Sequence, residues 1–123
     1  MLGLPENIDL SFLVGKKVEA LRIGRHKADI FFESGMSEQY FFIETGGDTI
    51  FTDSKGIIYK IENYKINGGV LCTLIGDEIG HALRHESGGL TLKMRSGSKV
   101  DILNDMPNYE SVIIHNGDNV IVG

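Results

Sequence analysis

Apolar and polar residues alternate along most of this chain, and the alternation is laid down twice. Ala28, Ile30 and Phe32 fall on one face of a strand at period two, and Leu90, Leu92 and Met94 do the same later on. Each run ends in a Ser-Gly turn, Ser34-Gly35 or Ser96-Gly97, and each is preceded by a matching opening. Leu13-Val14-Gly15-Lys16-Lys17-Val18 corresponds position for position to Leu74-Ile75-Gly76-Asp77-Glu78-Ile79, with one residue inserted before the second run. The pattern predicts a duplication over about 10–61 and 71–123. Two units are too few for a solenoid, which needs about three or more. The expected fold is mainly β, a single domain in which two similar antiparallel β-meanders form a sandwich or half-barrel with one or two short helices.

Strands are expected at 16–23, 27–33, 39–44, 49–52 and 57–61 in the first half, and at 78–85, 89–95, 99–103, 111–115 and 120–122 in the second. Asp53-Ser54-Lys55-Gly56 suits a type I turn with a bulge, and Asn116-Gly117 a type I′ hairpin. Residues 104–109, with Pro107 and Asn108, read as a loop, and just before the final hairpin Asp105, Tyr109 and Glu110 either form a loop-fixing hydrogen-bond set or contribute to a site. A short helix capped by Asn7 or Asp9 is expected over 6–14, and a single helical turn over 69–75.

Composition narrows the class. With 123 residues, 41% hydrophobic and 24% charged, the chain is long enough to bury a core without staples. Its 16 glycines punctuate short β-like runs and so belong to turns. The only cysteine, Cys72, sits inside Val70-Leu71-Cys72-Thr73-Leu74-Ile75 and is expected to be a buried, inert thiol. No signal-like segment and no apolar run of membrane-spanning length is present, so a cytoplasmic, soluble protein with no membrane partner is expected. A net charge of −5 argues against nucleic acid and in favour of a cationic protein as partner.

Candidate chemistry is sparse. His81 and His85 have zinc-helix spacing, but on a strand they stand about 13 Å apart and cannot share an ion. The serines lack a nucleophile-elbow setting, and the glycine pairs at 46–47, 68–69 and 88–89 lack P-loop partners. No catalytic residues, no metal and no cofactor are assigned, and the chain is not expected to be an enzyme. The uneven stretch is 28–54, which holds Asp29, Glu33, Glu38, Glu44, Asp48 and Asp53 and no Lys or Arg. It also holds six of the ten aromatics, while Lys16, Lys17, Arg22, Arg25 and Lys27 lie just before it. Phe31-Phe32 and Tyr40-Phe41-Phe42 are neighbouring aromatics, so at least one ring of each pair points away from the core. Outward rings among carboxylates suit a cationic protein partner, and the partner-binding candidates are Glu33, Glu38, Tyr40, Phe42, Glu44, Asp48 and Asp53. The plainer alternative makes the acids simply the solvated side of a half-buried strand.

The openings Leu74, Gly76 and Ile79, with Leu92, Gly97, Asp105, Tyr109, Glu110, Ser111 and the closing Ile121-Val122-Gly123, resemble a family of small bacterial β-rich proteins. Val112 stands where that family usually has an aromatic. Some members look like immunity proteins encoded beside contact-dependent growth-inhibition toxins. The resemblance implies a protein that binds and neutralises a cognate toxin C-terminal domain, often a basic RNase, by blocking its active site. The alternative from another class is a small-ligand-binding or self-assembling β-module without catalytic activity.

Overall fold

Ten strands assemble into two five-stranded antiparallel sheets in the computed structural model, which describes residues 3–33, 41–105, 111–117 and 119–123. The first half supplies β1 (Val18–Ile23), β2 (Ala28–Phe32), β3 (Phe41–Thr45), β4 (Thr49–Thr52) and β5 (Ile58–Ile61). The second half supplies β6 (Ile79–Arg84), β7 (Leu90–Met94), β8 (Lys99–Ile102), β9 (Val112–Asn116) and β10 (Asn119–Val122). The Ser34-Gly35 turn and the residues Tyr109 and Glu110 lie outside the described residues.

Sheet 1 runs β1-β2-β3-β9-β10 and sheet 2 runs β5-β4-β8-β7-β6. Each sheet therefore takes three strands from one half and the last two from the other. Strand order is what the local pattern leaves open, and the chain settles it by exchange. Both sheets carry the same irregularity, a bulge between Val18 and Ala20 in β1 and between Ile79 and His81 in β6. The two halves meet where these strands begin. The Gly15 N–H donates to the Ile79 carbonyl and the Gly76 N–H to the Val18 carbonyl, both at 2.8 Å. The Val18 N–H donates to Asp77 and the Ile79 N–H to Lys16, again at 2.8 Å. Gly15 and Gly76 adopt φ of +91° and +90°, a region that side chains disfavour.

The core lies between the sheets. Ile30, Ile43 and Ile114 of sheet 1 face Leu92, Val100 and Phe51 of sheet 2, all at most 1% exposed. A 3-10 turn at Ser11–Leu13 packs on β6, and a 3-10 stretch at Gly68–Leu74 packs on β1. The expected helix over 6–14 is thus only a single turn, with Asp9 accepting the Ser11 N–H at 2.9 Å. A four-residue helix, α1 (Tyr64–Asn67), precedes the second 3-10 stretch and has no counterpart in the pattern.

Two local expectations need correcting. Cys72 is exposed, because three residues per turn send Leu71 and Leu74 inward and Cys72 and Thr73 outward. The last hairpin turns one residue later than expected, since Asn116 pairs with Asn119 and Gly117, at φ +63°, is the first turn residue. Among the described residues no helix is long and apolar enough to cross a membrane.

Candidate functional site

Alternation on β2, β3 and β9 sends one row of side chains to the solvent face of sheet 1. Phe31 lies directly across from Phe42, and Phe42 across from His115. The Phe31 and Phe42 rings stack with centroids 5.0 Å apart, and Phe42 and His115 at 4.0 Å with planes 8° from parallel. One step along, Asp29, Glu44 and Ile113 form the next row. The neighbouring rings Phe32 and Phe41 point inward and are buried, as adjacency on a strand requires.

The matching strand order and register of the two sheets make the outward rings informative. Register places Phe31 where the second sheet has Lys93, Phe42 where it has Lys99, and His115 where it has Thr52. Core positions stay apolar in both sheets, with Ile30 matching Leu92, Ile43 matching Val100 and Ile114 matching Phe51. The same backbone thus accepts lysine where sheet 1 carries phenylalanine. Folding does not demand the aromatic row.

The charge around that row is largely paired. Lys27, at the end of the β1–β2 turn, reaches the Glu44 carboxylate and stands 3.5 Å from Asp29. The His115 Nε2 donates to the other Glu44 oxygen at 2.6 Å. Burial pulls the Glu44 carboxyl upward, but the hydrogen bonds and charges of Lys27 and His115 together outweigh it and hold Glu44 below its ordinary range. Lys27 is held up, chiefly by its bond to Glu44. The acidic stretch that has no cation of its own in sequence therefore borrows one in space.

The remaining candidates spread out. Glu33 follows β2 and is exposed, its backbone N–H donating to Lys17 at 2.9 Å. Asp53 works within its own turn, accepting the N–H groups of Lys55 and Ile57 at 2.9 Å each. Asp48 sits between β3 and β4, where burial and then the nearby Asp105 raise its pKa, and its N–H donates to Asp105 at 3.3 Å. Glu38 and Tyr40 lie outside the described residues. Of the seven candidates, sheet 1 brings together Phe42 and Glu44. Phe31, Asp29 and His115 join them; the aromatic pair signalled Phe31, whereas His115 arrives from 71 residues beyond Glu44 with no local signal.

Two other places carry polar side chains. On the outer face of sheet 2 the Thr91 hydroxyl donates to Asp101, so the His85 Nε2 must donate to Thr91. This fixes His85 by hydrogen bonding, and His81 lies on β6 apart from it. Among the described residues no three His, Cys, Asp or Glu side chains converge as metal ligands. A cleft of about 740 Å³ opens beside Arg25, Lys27, Asp48, Glu62, Tyr64 and Lys65. Its floor is the buried Tyr64, whose hydroxyl donates to the Gly47 carbonyl at 2.6 Å and meets the Thr49 hydroxyl at 2.7 Å. The cleft's rim is charged and of mixed sign, unlike the deep apolar pocket a small-ligand module would use.

No family model, no curated protein and no solved structure matches this chain.

Proposed function

We infer that this protein is a protein-binding inhibitor of the immunity type, which neutralises a cationic toxin domain by seating the outer face of sheet 1 against it. The observation that carries this reading is the solvent-facing Phe31–Phe42–His115 row, which the fold does not require, since the matching positions of sheet 2 are Lys93, Lys99 and Thr52. Aromatic rings are the residue type that concentrates binding energy in protein interfaces, and these three are half-buried on the outward side of the sheet. The overall charge of −5 favours a basic partner and faster encounter with it. Blocking of an active site and the nuclease character of the toxin rest on the family resemblance alone. The mixed-sign rim of the 740 Å³ cleft does less for the ligand-binding alternative than the aromatic row does for an interface.

The test is calorimetric titration with any toxin domain found encoded beside this protein, using the native chain and the double variant Phe31→Lys, Phe42→Lys. That variant installs what sheet 2 already carries, so the fold accommodates it. One-to-one binding that falls by about 30-fold or more in the variant, from the loss of about 2 kcal/mol or more at two anchors, is expected. Undiminished affinity would remove this face as the binding surface, and no binding by the native chain would remove the inhibitor reading.

A further inference from the structure

The four outer strands of the two sheets are not equally protected. A free edge is a template for another strand, and proteins blunt it with bulges, charges or covering groups. β1 has its bulge with Glu19 and Arg22, and its start is bridged to the other sheet through Lys17 and Glu78. β6 has the matching bulge, and its Arg84 is turned back onto the Leu4 carbonyl at 2.7 Å. β5 carries Lys60, whose carbonyl is covered by the Asn67 side chain at 2.6 Å. β10, the counterpart of β5 in the duplication, reads Asn119-Val120-Ile121-Val122 with no charge, bulge or proline. Among the described residues nothing pairs with its outer side and no side chain covers it.

Register shows what that edge offers. Gly123 and Val112 exchange hydrogen bonds across the β9–β10 ladder, at 2.8 and 3.5 Å. Antiparallel alternation then points the N–H and C=O of Ile121 at β9 and those of Val120 and Val122 away from the sheet. The Val120 and Val122 side chains are 52% and 47% exposed, on the same face as His115 and Ile113, while Ile121 packs on the core.

We propose that β10 pairs with β10 of a second copy of this chain, antiparallel about a two-fold axis at Ile121. Val120 then exchanges both backbone hydrogen bonds with Val122 of the second copy, and the reverse, so all four open groups at each edge are satisfied by one symmetric contact. The chain is its own best complement here. β10 is itself uncharged and apolar at its outward positions, and the antiparallel register centred on Ile121 pairs both of its open residues with their like at once. A charged partner gains nothing from an edge with no charge. The Val120 and Val122 rows of both copies become one apolar band that continues the Phe31–Phe42–His115 row, making a continuous sheet of five strands from each copy. This assembly stands apart from the inhibitor reading, because it needs no other protein.

The experiment uses the chain alone. Sedimentation across a range of concentrations is expected to shift from 13.5 kDa to twice that mass. Hydrogen exchange read by NMR is expected to slow at the Val120 and Val122 amides as the dimer forms, with the Ile121 amide already protected in the monomer. Val122→Pro deletes an N–H that β9 does not use, and Val120→Lys places charge beside the axis. Both are expected to stay at 13.5 kDa while unfolding like the native chain. If the native chain remains at single mass with rapidly exchanging Val120 and Val122 amides, the proposal fails. It also fails if both variants dimerise as the native chain does.

Discussion

Replacing Glu44 by Gln keeps the shape of the side chain and removes its charge, and so isolates what the Lys27–Glu44–His115 cluster contributes. The two bonds to Glu44 are charge-assisted, worth about 1.5–3 kcal/mol each against about 0.5–1.5 for neutral ones. Lys27 is half exposed and keeps Asp29 as a partner, so its share is largely screened. His115 and Glu44 are about four-fifths buried, and that bond counts nearly in full. Against this, Asp29 lies directly opposite Glu44, and losing that like-charge contact returns up to about 1 kcal/mol. The expected net loss is about 1 kcal/mol near neutral pH, seen as a fall of roughly 0.5 M in the urea midpoint. Because the folded pKa of Glu44 is depressed, its contribution is present above the unfolded value of about 4.3 and disappears as pH falls through the folded value. Urea unfolding of both proteins at about pH 7 and about pH 3 therefore should show a gap that closes in acid. A gap of equal size at both would mean that the carboxylate charge is not what holds the cluster together.

Three further substitutions probe other parts of the molecule. Asp48 has its pKa raised by burial and by Asp105, so the folded state is favoured with the proton bound and loses that advantage as pH rises through the folded value. Asp48→Asn is accordingly expected to raise the denaturation midpoint near neutral pH and to change it little in acid, measured by urea unfolding at both. Gly15→Ala and Gly76→Ala each force a side chain to φ near +90° with nothing else in contact, so each should cost about 1–2 kcal/mol. Thermal unfolding should find the two losses equal within about 0.5 kcal/mol, and a clear inequality would show that the seam is not balanced between the halves.

Local periodicity carries a good part of this structure. Alternation at Ala28-Ile30-Phe32 and Leu90-Leu92-Met94 marks β2 and β7, and Gly15 and Gly76 mark the matched openings, because both signals lie within a few residues. Adjacent aromatics require an outward ring, and Phe31 and Phe42 are those rings. Longer-range features escape. Nothing near Phe42 announces His115, and nothing near Glu44 announces that Lys27 folds back onto it, since partners 71 and 17 residues away meet only after the sheet forms. Cys72 misleads for a different reason. Val70-Leu71-Cys72-Thr73-Leu74-Ile75 looks continuously apolar, yet in a 3-10 turn only every third residue faces inward. At Asn116-Gly117 a hairpin is found but one residue later than expected, because pairing of β9 with β3 keeps Asn116 in the ladder.

Exchange of the last two strands of each half ties the candidate face to the whole chain. Phe31, Phe42 and Glu44 come from the first half, while Ile113, His115, Val120 and Val122 come from the second. Neither half alone has a five-stranded sheet, and each sheet's inner row packs against strands of both halves. A unit that kept its own strands could have duplicated and diverged as two separable surfaces. Here a change on β9 is felt beside β3, so the outer face of sheet 1 and that of sheet 2 each sample both copies of the repeat. The inner positions are held apolar by mutual burial, and divergence is left to the outer rows, where one sheet became aromatic and acidic and the other set Lys93 beside Lys99. Equal cores with unequal faces follow when packing constrains the inside of both sheets and leaves the outer rows free to differ.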